Sequence, residues 1–447
     1  LLFRGTLRDD ETVGLAVLLA GSPLLLYYSR FLRGDVLAAG FGLLVVGGAV
    51  RHRDTGARWP LYLSAAALPL ALGSSGFAVV YLPLWLLAAG LALDEARVRG
   101  TPAAAAERLG AGAAWLRGNA TPLARALFVF LGVALLVFAP RGGGVGPGLW
   151  DPATLPAAVS FAFVEAPERF VSLRFADRLA PPARGNSFIP AVAGYVRTLL
   201  ATAWPAVALG LVGFLRERYR AGTRGVVAFG GYAAGFGLLA FPIASMGVEP
   251  WTAVHVVPLL ALPGAVALAW VVRGLRARAA PAEPALLAAV LLVAAAGVAG
   301  YGATAAGVYA EPSPDSEFAQ FAQPSSDLDP MLAAAGSAIA ADDGAAGADV
   351  AYVGDRFYTR QEYALPPVEP ADRDAWGARL PLQWYFERMD ADVTSVRSAS
   401  RFGEAAPPVV VTTPARRVSV NENLDGYRQY DLKLGLWDRS VVVFVEE

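Results

Sequence analysis

The chain has no cysteine and only two histidines, His52 and His255, in 447 residues. Without cysteine there is no disulfide, no thiolate metal site and no cysteine nucleophile. With two histidines, a multi-histidine metal centre or a Ser-His-Asp triad is improbable. Lysine is almost absent as well, Lys433 being the single one, so nearly every cation is an arginine. Charge of either sign is scarce, at 17% of residues, while 55% are hydrophobic and the mean hydropathy is +0.46. A soluble domain is normally about one-quarter charged, so this composition indicates a membrane protein.

The net charge of -1 hides a division. Residues 1 to 307 carry about ten more basic than acidic groups, and residues 308 to 447 about eleven more acidic than basic ones. Two regions therefore face different surroundings. The arginine, alanine, glycine and aspartate bias suggests a GC-rich genome, and the acidic region fits a salt-loving organism. Plain codon bias explains the same composition without reference to salt.

Apolar runs long enough, or nearly so, to cross a bilayer occur at about 12–29, 36–50, 59–73, 77–93, 123–140, 191–215, 225–246, 252–272 and 284–308. The second and third are short for a span of roughly 20 residues. Arginines cluster in alternate connections: Arg51 to Arg58, Arg97 to Arg117, Arg216 to Arg224, and Arg273 to Arg278. Basic loops are retained in the cytoplasm, which places the remaining connections outside. Those are the turn Tyr27 to Asp35, Gly73 to Gly76, the loop at about 141–190, Met246 to Pro250 and the acidic C-terminal region. The expected fold is a polytopic α-helical membrane protein of about nine spans with a C-terminal extracytoplasmic α/β domain. Its expected parts are a membrane domain at 1–310, a Pro/Ser-rich linker at 311–330 and the α/β domain at 331–447.

Within the loop at 141–190, residues 156–175 mix apolar side chains with Glu165, Glu168, Arg169 and Arg174. That pattern fits an amphipathic helix lying at the interface, or a structural loop helix, and Pro167 should kink or break it. In the C-terminal region, helices are expected at 331–341 and 380–389. Strands are expected at 349–353, 392–396, 408–413, 427–432 and 440–446, with Val409 to Val411 and Val441 to Phe444 reading as buried strands.

Several short stretches resemble a known family. The run Tyr27-Tyr28-Ser29-Arg30-Phe31-Leu32-Arg33-Gly34-Asp35 resembles the Tyr-Ser-Arg and Arg-Asn-Asp turn of archaeal flippase-activity-associated proteins. Those are relatives of dolichyl-phosphate-mannose protein mannosyltransferases in the C-type superfamily of membrane glycosyltransferases. Glu249-Pro250-Trp251 leading to His255 resembles the family's Thr-Pro-Trp segment. Leu380 to Phe386 and Leu432 to Gly435 resemble pieces of its outer domain. Two departures stand out: Gly34 replaces a common asparagine, and Glu249 replaces a lysine-threonine pair. The family usually begins with two further spans and an outer loop bearing an acidic residue. The resemblance therefore implies that this chain is N-terminally incomplete, with that acidic residue preceding Leu1.

The resemblance implies transfer of a sugar from a polyprenyl (dolichyl) phosphate in archaeal protein or surface glycosylation, at the cell membrane with the C-terminal domain outside. The alternative is a non-catalytic component of lipid-linked sugar flipping or of glycosylation assembly. The expected partners are the lipid-linked sugar, the bilayer and other glycosylation proteins, and not nucleic acid. Glycosyl transfer needs a carboxylate as base or as ligand to a divalent metal, and cations to stabilise the departing phosphate. Asp35 is the candidate catalytic carboxylate, and Arg30 and Arg33 the phosphate partners, beside Tyr28. The competing reading has both arginines snorkelling to headgroups and Asp35 capping a helix. Further candidate substrate-binding residues are Glu165, Arg169, Glu249, Trp251, His255, Trp384 and Tyr385. The structural alternatives are a solvated loop face for Glu165 and Arg169, an interfacial anchor for Trp251, a hydrogen-bonded structural histidine for His255 and helix packing for Trp384 and Tyr385.

Overall fold

The computed structural model describes residues 2–31, 33–99, 102–142, 147–171, 188–219, 224–245, 250–277, five positions between 291 and 302, 327–342, 347–360, 362, 370–402, 406–434 and 440–447. The chain divides into two compact units, Leu1–Ala310 and Glu311–Glu447.

The first unit is helical. Its helices are α1 (Asp9–Ala20), α2 (Pro23–Ser29), α3 (Asp35–Thr55), α4 (Trp59–Ser74), α5 (Tyr81–Arg99), α6 (Pro102–Gly118), α7 (Ala120–Phe138), α8 (Leu155–Ser160), α9 (Ala166–Val171), α10 (Phe188–Arg218), α11 (Gly225–Ala244) and α12 (Val257–Arg276). Five of them, α3, α7, α10, α11 and α12, are long and apolar enough to cross a membrane. The α1–α2 pair, bent by 54°, makes a sixth if it counts as one broken span. These helices mark a membrane protein. The expected runs at 59–73 and 77–93 are also helical, but α4 has only 16 residues and the apolar helical stretch Gly76–Ala92 is likewise short. The expected ninth run, 284–308, lies almost entirely outside the described residues.

Local chemistry sets several breaks. Gly21 closes α1, and Ser22 caps α2, its Oγ accepting the Leu25 N–H, with Pro23 at the first helical position. Gly56 ends α3 in the left-handed region at φ 67°, which glycine adopts without a Cβ penalty. Pro205 lies in α10, where Ala203 leaves helical geometry at φ -141°. Ahead of Pro167, residues Phe161–Glu165 form a π turn in which the Ala166 N–H bonds the Phe161 carbonyl. The helix thus adjusts one turn before the proline instead of breaking. The arginine-bearing stretch from Arg97 to Arg117 is largely helix α6.

Small residues let the helices close up. A methyl group on Gly213 would lie 1.8 Å from the Pro263 carbonyl oxygen of α12, and one on Gly34 1.7 Å from the Ser74 carbonyl oxygen. Phe3, Leu7, Leu15, Val46, Val227 and Leu262 form an apolar cluster between α1, α3, α11 and α12.

Charges collect at one end of this bundle. Arg224 bonds Glu11 at 2.6 Å and Glu217 at 2.8 Å, and Arg273 bonds Asp10 at 2.5 Å. The Glu217 hydrogen bond, with that from Glu11, holds Arg224 more firmly protonated than usual against the opposing effect of its burial. Arg51 donates to the Arg4 carbonyl at 2.7 Å, and Thr6 to Asp54 at 2.5 Å.

The second unit is an α/β sandwich. It comprises α13 (Asp329–Ala341), β1 (Val350–Val353), α14 (Pro370–Arg379), α15 (Leu382–Arg388), β2 (Val393–Val396), β3 (Val409–Thr412), α16 (Arg417–Asn421), β4 (Tyr427–Lys433) and β5 (Ser440–Glu446). The sheet order is β2-β1-β3-β5-β4, with β1 parallel to β2 and β3, and β5 antiparallel to β3 and β4. All five expected strands form. Alternation along them feeds two cores. Val350, Tyr352, Val409 and Val411 pack with Met331, Leu382 and Phe386, while Val353, Val410 and Phe444 pack with Val420 and Leu424. Helices α14 and α16 were not among the expected elements. The polar sequence Pro-Ala-Asp-Arg-Asp of α14 carries little apolar periodicity, and α16 has only five residues.

Candidate functional site

At the other end of the bundle the turn between α2 and α3 is drawn into a polar cluster. Asp35, the first residue of α3, is buried at 3% exposure. Its Oδ2 accepts from Arg33 Nε at 3.0 Å. Its Oδ1 accepts from Ser75 Oγ at 2.7 Å and faces His255 Nε2 at 3.3 Å. On the far side of the imidazole, Nδ1 meets the Tyr81 hydroxyl at 2.6 Å. With Asp35 ionised, Nε2 carries the proton and Nδ1 accepts from the Tyr81 O–H. The four side chains thus form one line, Arg33 to Asp35 to His255 to Tyr81, reaching from the turn into the bundle.

Each member is held by a different element. Arg33 lies over the Trp251 ring, its Cζ 4.2 Å from the centroid. Trp251 and His255 both belong to the 3-10 turn Pro250–His255, whose six residues are all buried. The Tyr195 hydroxyl of α10 donates to the Thr252 carbonyl at 3.1 Å and fixes that turn. Phe241 of α11 stacks on His255 at 5.1 Å and 13°, and Tyr81 stacks on Trp85 at 5.3 Å. Below the imidazole a cleft is lined by Gly42, Val46, Tyr81, Trp85, Pro258 and Leu262. It is apolar, and among the described residues the buried Trp85 Nε1 has no hydrogen-bond partner.

Of the sequence candidates, the fold brings together Asp35, Arg33, Trp251 and His255. Tyr28 is fully buried at the end of α2, packed edge-on against Tyr27 at 5.0 Å. Arg30 is exposed at the C-cap of α2. Glu165 is exposed at the end of the π turn, whereas the Arg169 side chain and all of Glu249 lie outside the described residues. Trp384 and Tyr385 belong to the other unit. Trp384 is 52% exposed with Arg388 over its ring at 4.9 Å, and Tyr385 packs against the core beside it.

Sequence reading missed Ser75 and Tyr81. Ser75 stood in a four-residue connection, Gly73 to Gly76, and Tyr81 inside an apolar run, where no local pattern sets either apart. Among the described residues no group of three or more His, Asp or Glu side chains is placed to hold a metal ion. Asp35 and His255 supply two such ligands, fewer than a protein-held divalent cation usually takes.

No curated protein and no solved structure matches the chain. Residues 328–446, which run from α13 through β5, match the family model of the Agl23 flippase-associated protein C-terminal domain, so the C-terminal unit is similar to that domain.

Proposed function

We propose that the chain is a membrane glycosyltransferase-like protein that takes a polyprenyl (dolichyl) phosphate-linked sugar, in archaeal protein or surface glycosylation, at the outer face of the cell membrane. The observation that carries this reading is the line Arg33–Asp35–His255–Tyr81, a buried carboxylate, imidazole and phenol joined to a guanidinium at one end of the bundle. Involvement in lipid-linked glycosylation is supported independently by the flippase-associated domain match at 328–446.

In such a transfer the acceptor oxygen bonds to the anomeric carbon, the bond from that carbon to the carrier phosphate oxygen breaks, and the acceptor proton leaves to a base. Arg33, stacked on Trp251 with Nε bound to Asp35, has no partner for its terminal nitrogens among the described residues and can offer them to phosphate oxygens. Asp35 and His255 orient Arg33 and Tyr81 and offer a route for a proton.

The second reading is a non-catalytic part of lipid-linked sugar flipping. One feature favours it: both Asp35 oxygens are already engaged, so its carboxylate is placed to organise Arg33 more readily than to take a proton.

Turnover separates the two. In the whole protein, Asp35→Asn and His255→Gln should each lower sugar transfer from purified lipid donor by at least about a hundredfold, with donor binding retained in His255→Gln and weakened in Asp35→Asn, which also releases Arg33. Unchanged turnover in both would remove the pair from the chemistry. Donor binding by the native protein with no transfer at all would favour the non-catalytic reading instead.

A further inference from the structure

The C-terminal unit carries a second polar constellation, remote in kind from the membrane one. It lies at the carboxyl ends of the three parallel strands. After β1 come Gly354, Asp355 and Arg356; after β2 comes Arg397; after β3 comes the turn containing Arg416. Strand β1 lies between β2 and β3, and the chain leaves it first towards β2 and then crosses back to β3. The loops consequently diverge at β1, which is where open parallel sheets leave a crevice for ligands.

The side chains there are organised. Asp355 bridges two guanidinium groups, Oδ1 to Arg397 Nη1 at 3.0 Å and Oδ2 to Arg416 Nη2 at 3.1 Å. Arg416 also donates to the Arg397 carbonyl at 3.2 Å, and Arg397 lies over the Tyr358 ring at 4.4 Å. Gly354 has φ 116°, and a methyl group there would come within 3.1 Å of the Arg416 side chain. The glycine thereby lets Arg416 lie across the backbone.

Stability does not account for this arrangement. Asp355, Arg397 and Arg416 are 62%, 65% and 40% exposed, and exposed ion pairs contribute little. Charge makes the cluster more unusual. Residues 311–447 contain 23 acidic and 12 basic side chains, yet here exposed Arg397 and half-buried Arg416 flank one aspartate, with exposed Arg356 next to it in the chain. The result is a cationic island on an acidic unit. Its two bridged arginines are already spaced to hold a carboxylate, one oxygen each, with the hydroxyls of Ser398 and Ser400 adjoining Arg397 in sequence.

We propose that this edge binds a small carboxylate ligand, whose carboxylate takes the place of Asp355 between Arg397 and Arg416, and for which glucuronate serves as the probe. Asp355 holds the two guanidinium groups in position until the ligand arrives, and competes with it. The proposal concerns only the C-terminal unit and does not depend on the reading of the membrane site.

The test uses the full chain in nanodiscs of zwitterionic lipid, titrated calorimetrically with glucuronate, glucose and inorganic phosphate. Glucuronate should bind at least about tenfold more tightly than glucose, which lacks the bidentate charged contact. Arg416→Gln should weaken it about tenfold, and Asp355→Asn, which removes the competing carboxylate, should tighten it. This gain separates the proposal from misfolding, which cannot raise affinity. Equal binding of glucose and glucuronate, preference for phosphate, no binding, or weaker glucuronate binding by Asp355→Asn would each overturn it.

Discussion

Gly34 shows how a single residue sets the geometry of the membrane site. It precedes Asp35 and lies against Ser74, so close that any Cβ would meet the Ser74 carbonyl oxygen at 1.7 Å. The contact brings Asp35 within 2.7 Å of Ser75, the next residue along. Asparagine, common here in the family that the turn resembles, needs a wider gap. Gly34→Ala should therefore force the two turns apart and cost about 1–3 kcal/mol, the usual range for overpacking. Thermal unfolding in detergent would read this as a lower melting temperature, and an unaltered one would mean that the two turns are not packed as described.

Asp35 itself illustrates what can be read at this scale. A charge beside an apolar run needs a reason, and the sequence suffices to say so. Its partners are another matter. Arg33 is two positions away, but Ser75 and His255 are 40 and 220 positions away, and only the packing of helices across the unit joins them.

At the scale of elements, Arg379 at the end of α14 ties that helix to β1 and β2. Its side chain is wholly buried, donates to the Phe357 carbonyl at 2.6 Å and to Glu362 at 2.7 Å, and covers the Tyr352 ring at 4.6 Å. Ser395 of β2 hydrogen-bonds Glu362 as well. Burial raises the Glu362 carboxyl, but the hydrogen bonds from Arg379 and Ser395 outweigh it and hold the group below the ordinary glutamate value. A carboxyl lowered on folding stabilises the fold fully above its unfolded pKa of about 4.3, and that contribution is lost as pH falls below this value. Urea unfolding of the C-terminal unit, followed by limited proteolysis, should show an acid-side loss of stability that Glu362→Gln abolishes. The same pH slope in the variant would exclude Glu362 as its source. Arg379→Met, which removes a buried guanidinium and leaves the half-buried Glu362 without its cation, should cost about 2–4 kcal/mol at neutral pH.

The strands of this unit were legible because runs such as Val409-Val410-Val411 are buried on both faces. The helix carrying Arg379 was not. Its sequence is polar, and its place is fixed by Arg379 reaching into the core beside the small contacts of Ala375 and Ala378.

Across the whole molecule, the charge distribution is the main organising feature. In the helical unit the Glu11–Arg224–Glu217 network and the Asp35 cluster lie at opposite ends of the same helices, the pattern expected if alternate connections face opposite sides of a membrane. The absence of cysteine makes this directly testable, since any introduced thiol is unique. Ser29→Cys and Ser398→Cys should react with a membrane-impermeant maleimide on intact cells, and Thr55→Cys only after lysis. Labelling of Thr55→Cys in intact cells with protection of Ser29→Cys would reverse the orientation.

The sequence by itself determined the membrane class, the two-part charge division, the five strands and the turn that holds Asp35. These follow from composition and periodicity, which act over a few neighbouring residues. Tertiary structure alone decided that Tyr81, Ser75 and His255 meet Asp35, that Trp251 stacks on Arg33, and that Asp355 lies between Arg397 and Arg416. Each of those contacts joins separate elements, and hydrogen-bond reach between them depends on how the helices or strands pack, which no local pattern encodes.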